Sequence, residues 1–164
     1  MAIYRRAGGS IELFLVHMGG PFWARKDEGA WTFPKGEYGE GEDPLSVARR
    51  EFREETGFDV DGEFLELQPV NQRGKTIRLW AVEGEFDALA IRSNTFTIEW
   101  PPKSGRQQEF PEVDRAAWFS PADARRKLVP AQSGFVDQLC ALLRIPTTHP
   151  DSPDDSKDSS HSDA

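Results

Sequence analysis

The chain has 164 residues, a mass of 18.5 kDa, 28 acidic and 20 basic side chains, a formal net charge of −8 and a pI near 4.9. That length suits one domain whose core needs no disulfide or structural metal, and it excludes a multi-domain machine or a large barrel. The acidic balance argues against general nucleic-acid binding, which relies on Lys and Arg to neutralise phosphates. The single Cys140 cannot close an internal disulfide and reads as a small buried thiol among Phe135, Val136, Leu139 and Leu143. No apolar run reaches membrane-spanning length, and MAIYRRAGG lacks the apolar stretch of a signal peptide, so a cytoplasmic protein without membrane association is expected.

In chain order, Ala2 to Tyr4 and Ile11 to His17 read as strands joined by a turn at Gly8-Gly9. The loop GGPFWARKDEGA leads to a brief strand from Trp31 to Phe33, and Pro34, Gly36, Gly39 and Gly41 then keep the chain irregular. Asp43-Pro44 predicts a helix start, with a side-chain acceptor at the cap and proline where no N–H is needed; Gly57 stops the helix after Thr56. Gly62 to Val70 and Lys75 to Phe86 are predicted as two strands turning at Gln72-Arg73-Gly74, and Thr95 to Trp100 as another. A long loop begins at Pro101, Ala117 to Phe119 is a short strand, Ser120 caps a short helix, and Ser133 to Leu143 forms a closing amphipathic helix. Residues 146–164 carry five aspartates and one lysine and almost no apolar side chain. Such a segment cannot offset its ordering entropy by burial, so a folded unit over 1–145 and a disordered acidic tail over 146–164 are expected. Strands on both sides of an early helix, with helices closing the chain, imply the α/β (α+β) class: a mixed sheet between helical layers.

The chemistry concentrates between Gly36 and Phe58. Glu51, Glu54 and Glu55 fall at i, i+3 and i+4 of the predicted helix and share one side of it. Three anions within a turn repel one another unless cations compensate, and oxygen-only ligands are what Mg2+ or Mn2+ prefers. A solvated acidic face balanced by Arg49 and Arg50 would look the same in isolation. No rival catalytic set is present, because two of the three histidines, His149 and His161, lie in the tail. Gly74-Lys75-Thr76 lacks the earlier glycine of a phosphate-binding loop, since Pro69 stands in its place.

The whole segment GEYGEGEDPLSVARREFREETGF resembles the signature box of the Nudix hydrolases, G-x5-E-x7-R-E-U-x-E-E-x-G-U with U a bulky apolar residue. Gly36, Glu42, Arg50, Glu51, Phe52, Glu54, Glu55, Gly57 and Phe58 fill all nine specified positions across 23 residues. The resemblance implies an α/β/α sandwich with a mixed central sheet and hydrolysis of a nucleoside diphosphate linked to another group, with Mg2+ as cofactor and Mn2+ as substitute. It implies that Glu51, Glu54 and Glu55 hold or serve the metal, that Glu42 pairs with Arg50 as a brace, and that the backbone at Lys35 and Gly36 offers a carbonyl to metal. A further glutamate from a distant loop, six residues before a tryptophan, matches Glu112 ahead of Trp118, with Glu109 as second choice. The catalytic group that the resemblance implies is thus Glu51, Glu54, Glu55 and Glu112, and the general base stays open among Glu51, Glu55 and Glu112.

Substrate choice lies outside the box. Arg73, Lys75 and Arg78 in NQRGKTIRLW form a basic cluster able to hold a phosphate chain, in a run that resembles dinucleoside polyphosphate-cleaving Nudix enzymes. Lys103 and Arg106 are candidates to join it, and Tyr38, Phe22 and Trp23 to stack on a base, whereas Trp80 and Trp100 read as core. The expected partner is a nucleotide: an NTP or dinucleoside polyphosphate, with ADP-ribose or a nucleotide sugar as the alternative and a catalytically silent nucleotide-binding module as the third reading. The oligomeric state is left open.

Overall fold

The computed structural model describes residues 1–36 and 39–146. Tyr38 and the acidic segment from 147 onward lie outside the described residues. The first half of the chain forms β1 (Ala2–Ala7), β2 (Ser10–Met18), β3 (Trp31–Thr32), α1 (Pro44–Thr56), β4 (Leu65–Glu66), β5 (Val70–Gln72), β6 (Lys75–Ile77) and β7 (Trp80–Glu83). The second half adds β8 (Thr95–Glu99), β9 (Gln107–Pro111), β10 (Val113–Phe119), α2 (Pro121–Lys127) and α3 (Ser133–Leu142), with single 3-10 turns at Ala88–Ala90 and Pro130–Gln132.

Among the described residues the main sheet runs β10-β2-β1-β7-β4, with β3 on the far end of β2. It is mixed: β1 is antiparallel to β2 and parallel to β7, aligning Ile3 with Val82. Strand alternation sends side chains to two cores. Ile3, Phe14, Val16, Trp80 and Val82 meet Phe52 and Ala48 of α1 on one face. Tyr4, Leu13, Leu15 and Ala81 meet Ala124 of α2 and Phe135, Val136 and Leu139 of α3 on the other. The sheet therefore lies between helical layers, as the α/β/α expectation requires. Asp43 Oδ2 accepts the Ser46 N–H at 3.1 Å to start α1, and Gly57, at φ 80°, donates to the Arg53 carbonyl at 2.7 Å to end it.

The two strands expected over 62–70 and 75–86 are interrupted. The Gln68 N–H goes to Gln138 Oε1 at 2.7 Å, and Pro69 has no N–H, so the ladder ends and β5–β6 becomes a separate two-stranded hairpin. The loop expected from Pro101 returns as β9, which pairs with β8. Gln107, Gln108 and Glu109 are exposed, so no apolar alternation marks the strand. β10 begins at Val113 rather than Ala117, because Val113 and Ala116 are buried across a register shift while Asp114 and Arg115 face solvent. Trp80 is core, but Trp100 is only half-buried, edge-on to the exposed Phe22 with ring centroids 5.4 Å apart.

Candidate active site

Burial of Val47, Ala48 and Phe52 fixes the rotation of α1, and one side of the helix then faces the Pro34–Gly36 segment after β3. The Lys35 N–H donates to Glu55 Oε2 at 3.1 Å. Gly36 lies so close to Glu51 that an added Cβ would stand 2.0 Å from its Cγ. The amino group of Met1 donates to the Pro34 carbonyl at 2.5 Å and so ties the start of the chain to the same corner. Burial drives the Glu55 carboxyl up to about 8; the Met1 ammonium and the Lys35 N–H and side chain oppose the rise, and Glu51 adds to it. Glu51 is also raised, first by burial, then by Glu54, with Arg50 opposing and Glu112 and Glu42 adding to the effect. Burial lowers the Met1 amino group to about 5.

Arg50 stands among the carboxylates. Its guanidinium nitrogens lie 3.4 Å from Glu42 Oε1 and 3.9 Å from both Glu51 Oε1 and Glu54 Oε1. Glu42 also accepts the Gly39 N–H at 2.8 Å, which together with Arg50 holds its carboxyl below the ordinary range. Side-chain exposures of 49% for Arg50 and 41% for Glu42 leave this contact screened by water, in contrast to a buried brace. Among the described residues no three Asp, Glu, His or Cys side chains converge as a ready-made ligand set. The donor chemistry nevertheless suits a hard divalent cation: every donor is oxygen, and the ionised forms of Glu51 and Glu55 are disfavoured by their surroundings until positive charge is supplied.

Glu112 reaches this corner from the β9–β10 junction. Its N–H donates to the Asn94 carbonyl at 2.9 Å and its carbonyl accepts the Gly19 N–H at 2.8 Å, fixing the β9–β10 junction against the end of β2. With Lys35, Thr32, Gln72, Val129 and Glu55, it lines a pocket of about 170 Å³. Glu109 instead pairs with Thr97 on the exposed β8–β9 hairpin. Gly19 was not singled out by the sequence reading; its signal is steric, since a Cβ there would meet the Pro111 carbonyl oxygen at 2.0 Å. His17 was read only as the end of a strand. It is fully buried, with Nδ1 2.7 Å from Asp114 Oδ1 and Nε2 2.6 Å from the Lys26 carbonyl, and it joins the Glu112 segment to the loop after β2.

A wider cleft of about 540 Å³ adjoins this pocket, lined by Lys35, Gly36, Gln72, Arg73, Lys75, Thr76 and Ile77. Arg73 and Gly74, at φ 51° and 79°, make the β5–β6 turn, and Asn71 Oδ1 accepts the Gly74 N–H at 2.9 Å. Arg73 and Lys75 are thus brought together at the cleft, but Arg78 is not. It bonds to Glu66 Oε1 through Nε at 3.0 Å and Nη2 at 2.5 Å, with its guanidinium over Trp80. Lys103 and Arg106 lie near the turn of the other hairpin and do not line the cleft. Trp23 packs partly against the core beneath Lys26. A buried glutamine, Gln132, also escaped the sequence reading. Its Oε1 accepts the Phe33 N–H at 3.1 Å, and its Nε2 donates to Gln72 Oε1 at 3.0 Å.

Comparison with known proteins matches the NUDIX domain over residues 1–139. The chain belongs to the Nudix family. With that membership comes the family's reaction, hydrolysis of a phosphoric anhydride bond; Nudix hydrolases as a group generally use divalent metals. An RNA pyrophosphohydrolase of Brucella abortus (strain 2308) is 29% identical over 130 residues, covering 70% of this chain and 68% of the relative. The crystal structure of a C. elegans Ap4A hydrolase binary complex superposes with a TM-score of 0.60 at 20% identity, covering 87% of this chain and 95% of that one. The NUDIX domain of Shewanella oneidensis NrtR complexed with ADP ribose gives 0.54 at 16% identity, covering 87% and 84%. The structural likenesses establish the Nudix fold. No helix among the described residues is long and apolar enough to cross a membrane.

Proposed function

We propose that the protein is a Mg2+-dependent pyrophosphohydrolase of nucleoside polyphosphates, either NTPs or dinucleoside polyphosphates. The observation that carries this reading is the contact of two cavities across Lys35 and Gln72, one holding Glu55 and Glu112 and the other Arg73 and Lys75. A phosphate chain lying on Lys35, Arg73 and Lys75 brings an anhydride linkage against the carboxylates. On this reading Glu51, Glu54, Glu55 and Glu112 hold Mg2+, or Mn2+ in its place, together with a backbone carbonyl of Lys35 or Gly36. Such an ion neutralises phosphate charge and acidifies water. One of Glu51, Glu55 and Glu112 accepts the proton of the attacking water. Arg50 holds Glu51 and Glu54 in place without entering the reaction. The names RNA pyrophosphohydrolase and Ap4A hydrolase, borne by the relatives, agree with a substrate of this class.

The test is chromatographic identification of the products formed from ATP, a dinucleoside tetraphosphate, a 5′-triphosphorylated RNA oligomer and ADP-ribose, each with Mg2+, Mn2+ or a chelator. Turnover of a tri- or tetraphosphate that chelation abolishes is the expected result. Preference for ADP-ribose would move the assignment to two-phosphate substrates, and nucleotide binding without any turnover would make the protein a silent module. Arg73→Ala combined with Lys75→Ala should raise KM most for the longest phosphate chains; equal losses on every substrate would reduce the pair to a structural turn.

A further inference from the structure

We propose that the Gln72 side-chain amide is a specificity-determining hydrogen-bond donor for a phosphate oxygen, and that the buried Gln132 is the positioning residue that fixes its polarity. The proposal rests on the reading of the adjoining cleft as a phosphate site. It begins at Phe33, whose backbone N–H can only donate. The Gln132 atom facing it at 3.1 Å must therefore be the oxygen. The Thr32 hydroxyl, 2.9 Å from that same oxygen, agrees with the assignment. With its oxygen committed to β3, Gln132 turns its –NH2 to Gln72, whose facing atom at 3.0 Å must then be an acceptor, Oε1. The amide nitrogen of Gln72 is left as the outward group. Among the described residues it meets no acceptor, and Gln72 lines the basic cleft and the carboxylate pocket alike.

The polarity of an exposed amide is ordinarily free, because its two ends are nearly isosteric. Here it is set by a backbone N–H two links away, in a residue that is wholly buried. A donor between Lys35 and Arg73 matches an anion, whereas a carbonyl at the same place would repel one. The relay also joins the β5–β6 hairpin to the main sheet, so the donor is held in register with Glu55 and Glu112.

The experiment is a two-residue cycle. Gln72→Met removes the donor and should raise KM for the polyphosphate substrate by about tenfold, as expected for one hydrogen bond to a charged acceptor, with kcat nearly unchanged. Gln132→Glu keeps an acceptor for Phe33 but offers a second acceptor to Gln72. Gln72 must then rotate its –NH2 inward and present oxygen to the cleft, so KM rises as in Gln72→Met or more. If Gln132 acts through Gln72, Gln132→Glu has no further effect on KM in the Gln72→Met background. An undiminished effect there, or a wild-type KM for Gln72→Met, would overturn the proposal. Should Gln132→Glu fail to fold, calorimetric binding of inorganic tripolyphosphate to Gln72→Met decides: unchanged affinity rejects the donor. The same titration separates this inference from the functional reading, because wild-type protein that binds tripolyphosphate but cleaves no nucleotide leaves the donor standing and removes the hydrolase assignment.

Discussion

Glu55 concentrates the electrostatics of the site in one side chain. Its carboxyl titrates near 8 while an unfolded chain ionises it near 4.5, so its neutral form favours the fold fully below 4.5 and that contribution is lost as pH rises through 8. The Met1 amino group, lowered from 8.0 to about 5, works in the opposite direction, with its contribution lost as pH falls. The two slopes offset each other between about 5 and 8, so bare melting temperatures report little of either. The informative quantity is the shift caused by metal. A cation that binds ionised Glu55 must displace its proton, so the stabilisation by millimolar Mg2+ should grow from pH 6 to 8 and level off above it. A metal-induced shift that is flat across those pH values would remove Glu55 from the ligand set. Glu55→Gln should abolish turnover on every substrate, by on the order of a hundredfold or more, and leave metal-free melting at pH 9 equal or higher because a buried charge is gone. Gly36→Ala should also inactivate, by a different route: its Cβ displaces Glu51 at the stem of the side chain, where rotation gives little relief.

At the level of elements, α1 was the most legible part of the chain, because Asp43, Pro44 and Gly57 mark its ends in ways that local backbone chemistry dictates. The same stretch located Glu51, Glu54 and Glu55, since helical spacing alone sets which side chains share a face. The β5–β6 segment was less legible. Its break depends on Gln68 meeting Gln138, 70 residues away, and no local pattern encodes such a partner. Gln72, Gln132 and Gly19 were missed for a related reason: each matters through long-range contacts, and neither amides nor glycines advertise those in sequence. The Glu42–Arg50 contact was legible in identity but not in exposure. Because it is screened, Arg50→Ala should lower melting only slightly without metal, and the deficit should narrow when Mg2+ supplies the missing positive charge. A deficit unchanged by metal would mean that Arg50 supports the helix by packing alone. Gly19→Ala should shift the Glu112 segment off the Asn94 carbonyl and lower kcat, with metal-induced stabilisation reduced in parallel.

For the whole molecule, a single sheet carries both cores, so the two helical layers should be lost together. Phe52→Ala on one face and Phe135→Ala on the other should each cost on the order of 3–5 kcal/mol and move one common unfolding transition. Two separable transitions in either variant would show that the layers fold independently. The β5–β6 hairpin stands apart from this arrangement: it belongs to neither end of the main sheet and is joined to the α3 side through Gln72–Gln132, with Gln68–Gln138 just before it. On the proposed reading, the residues that serve bond cleavage and those that select the substrate therefore sit on pieces of chain with different tolerance for change. Substitutions on α1 disturb the core through Phe52, whereas most of the hairpin faces water. On that same reading, substrate preference can be exchanged by substitutions in the hairpin that leave the packing of α1 untouched.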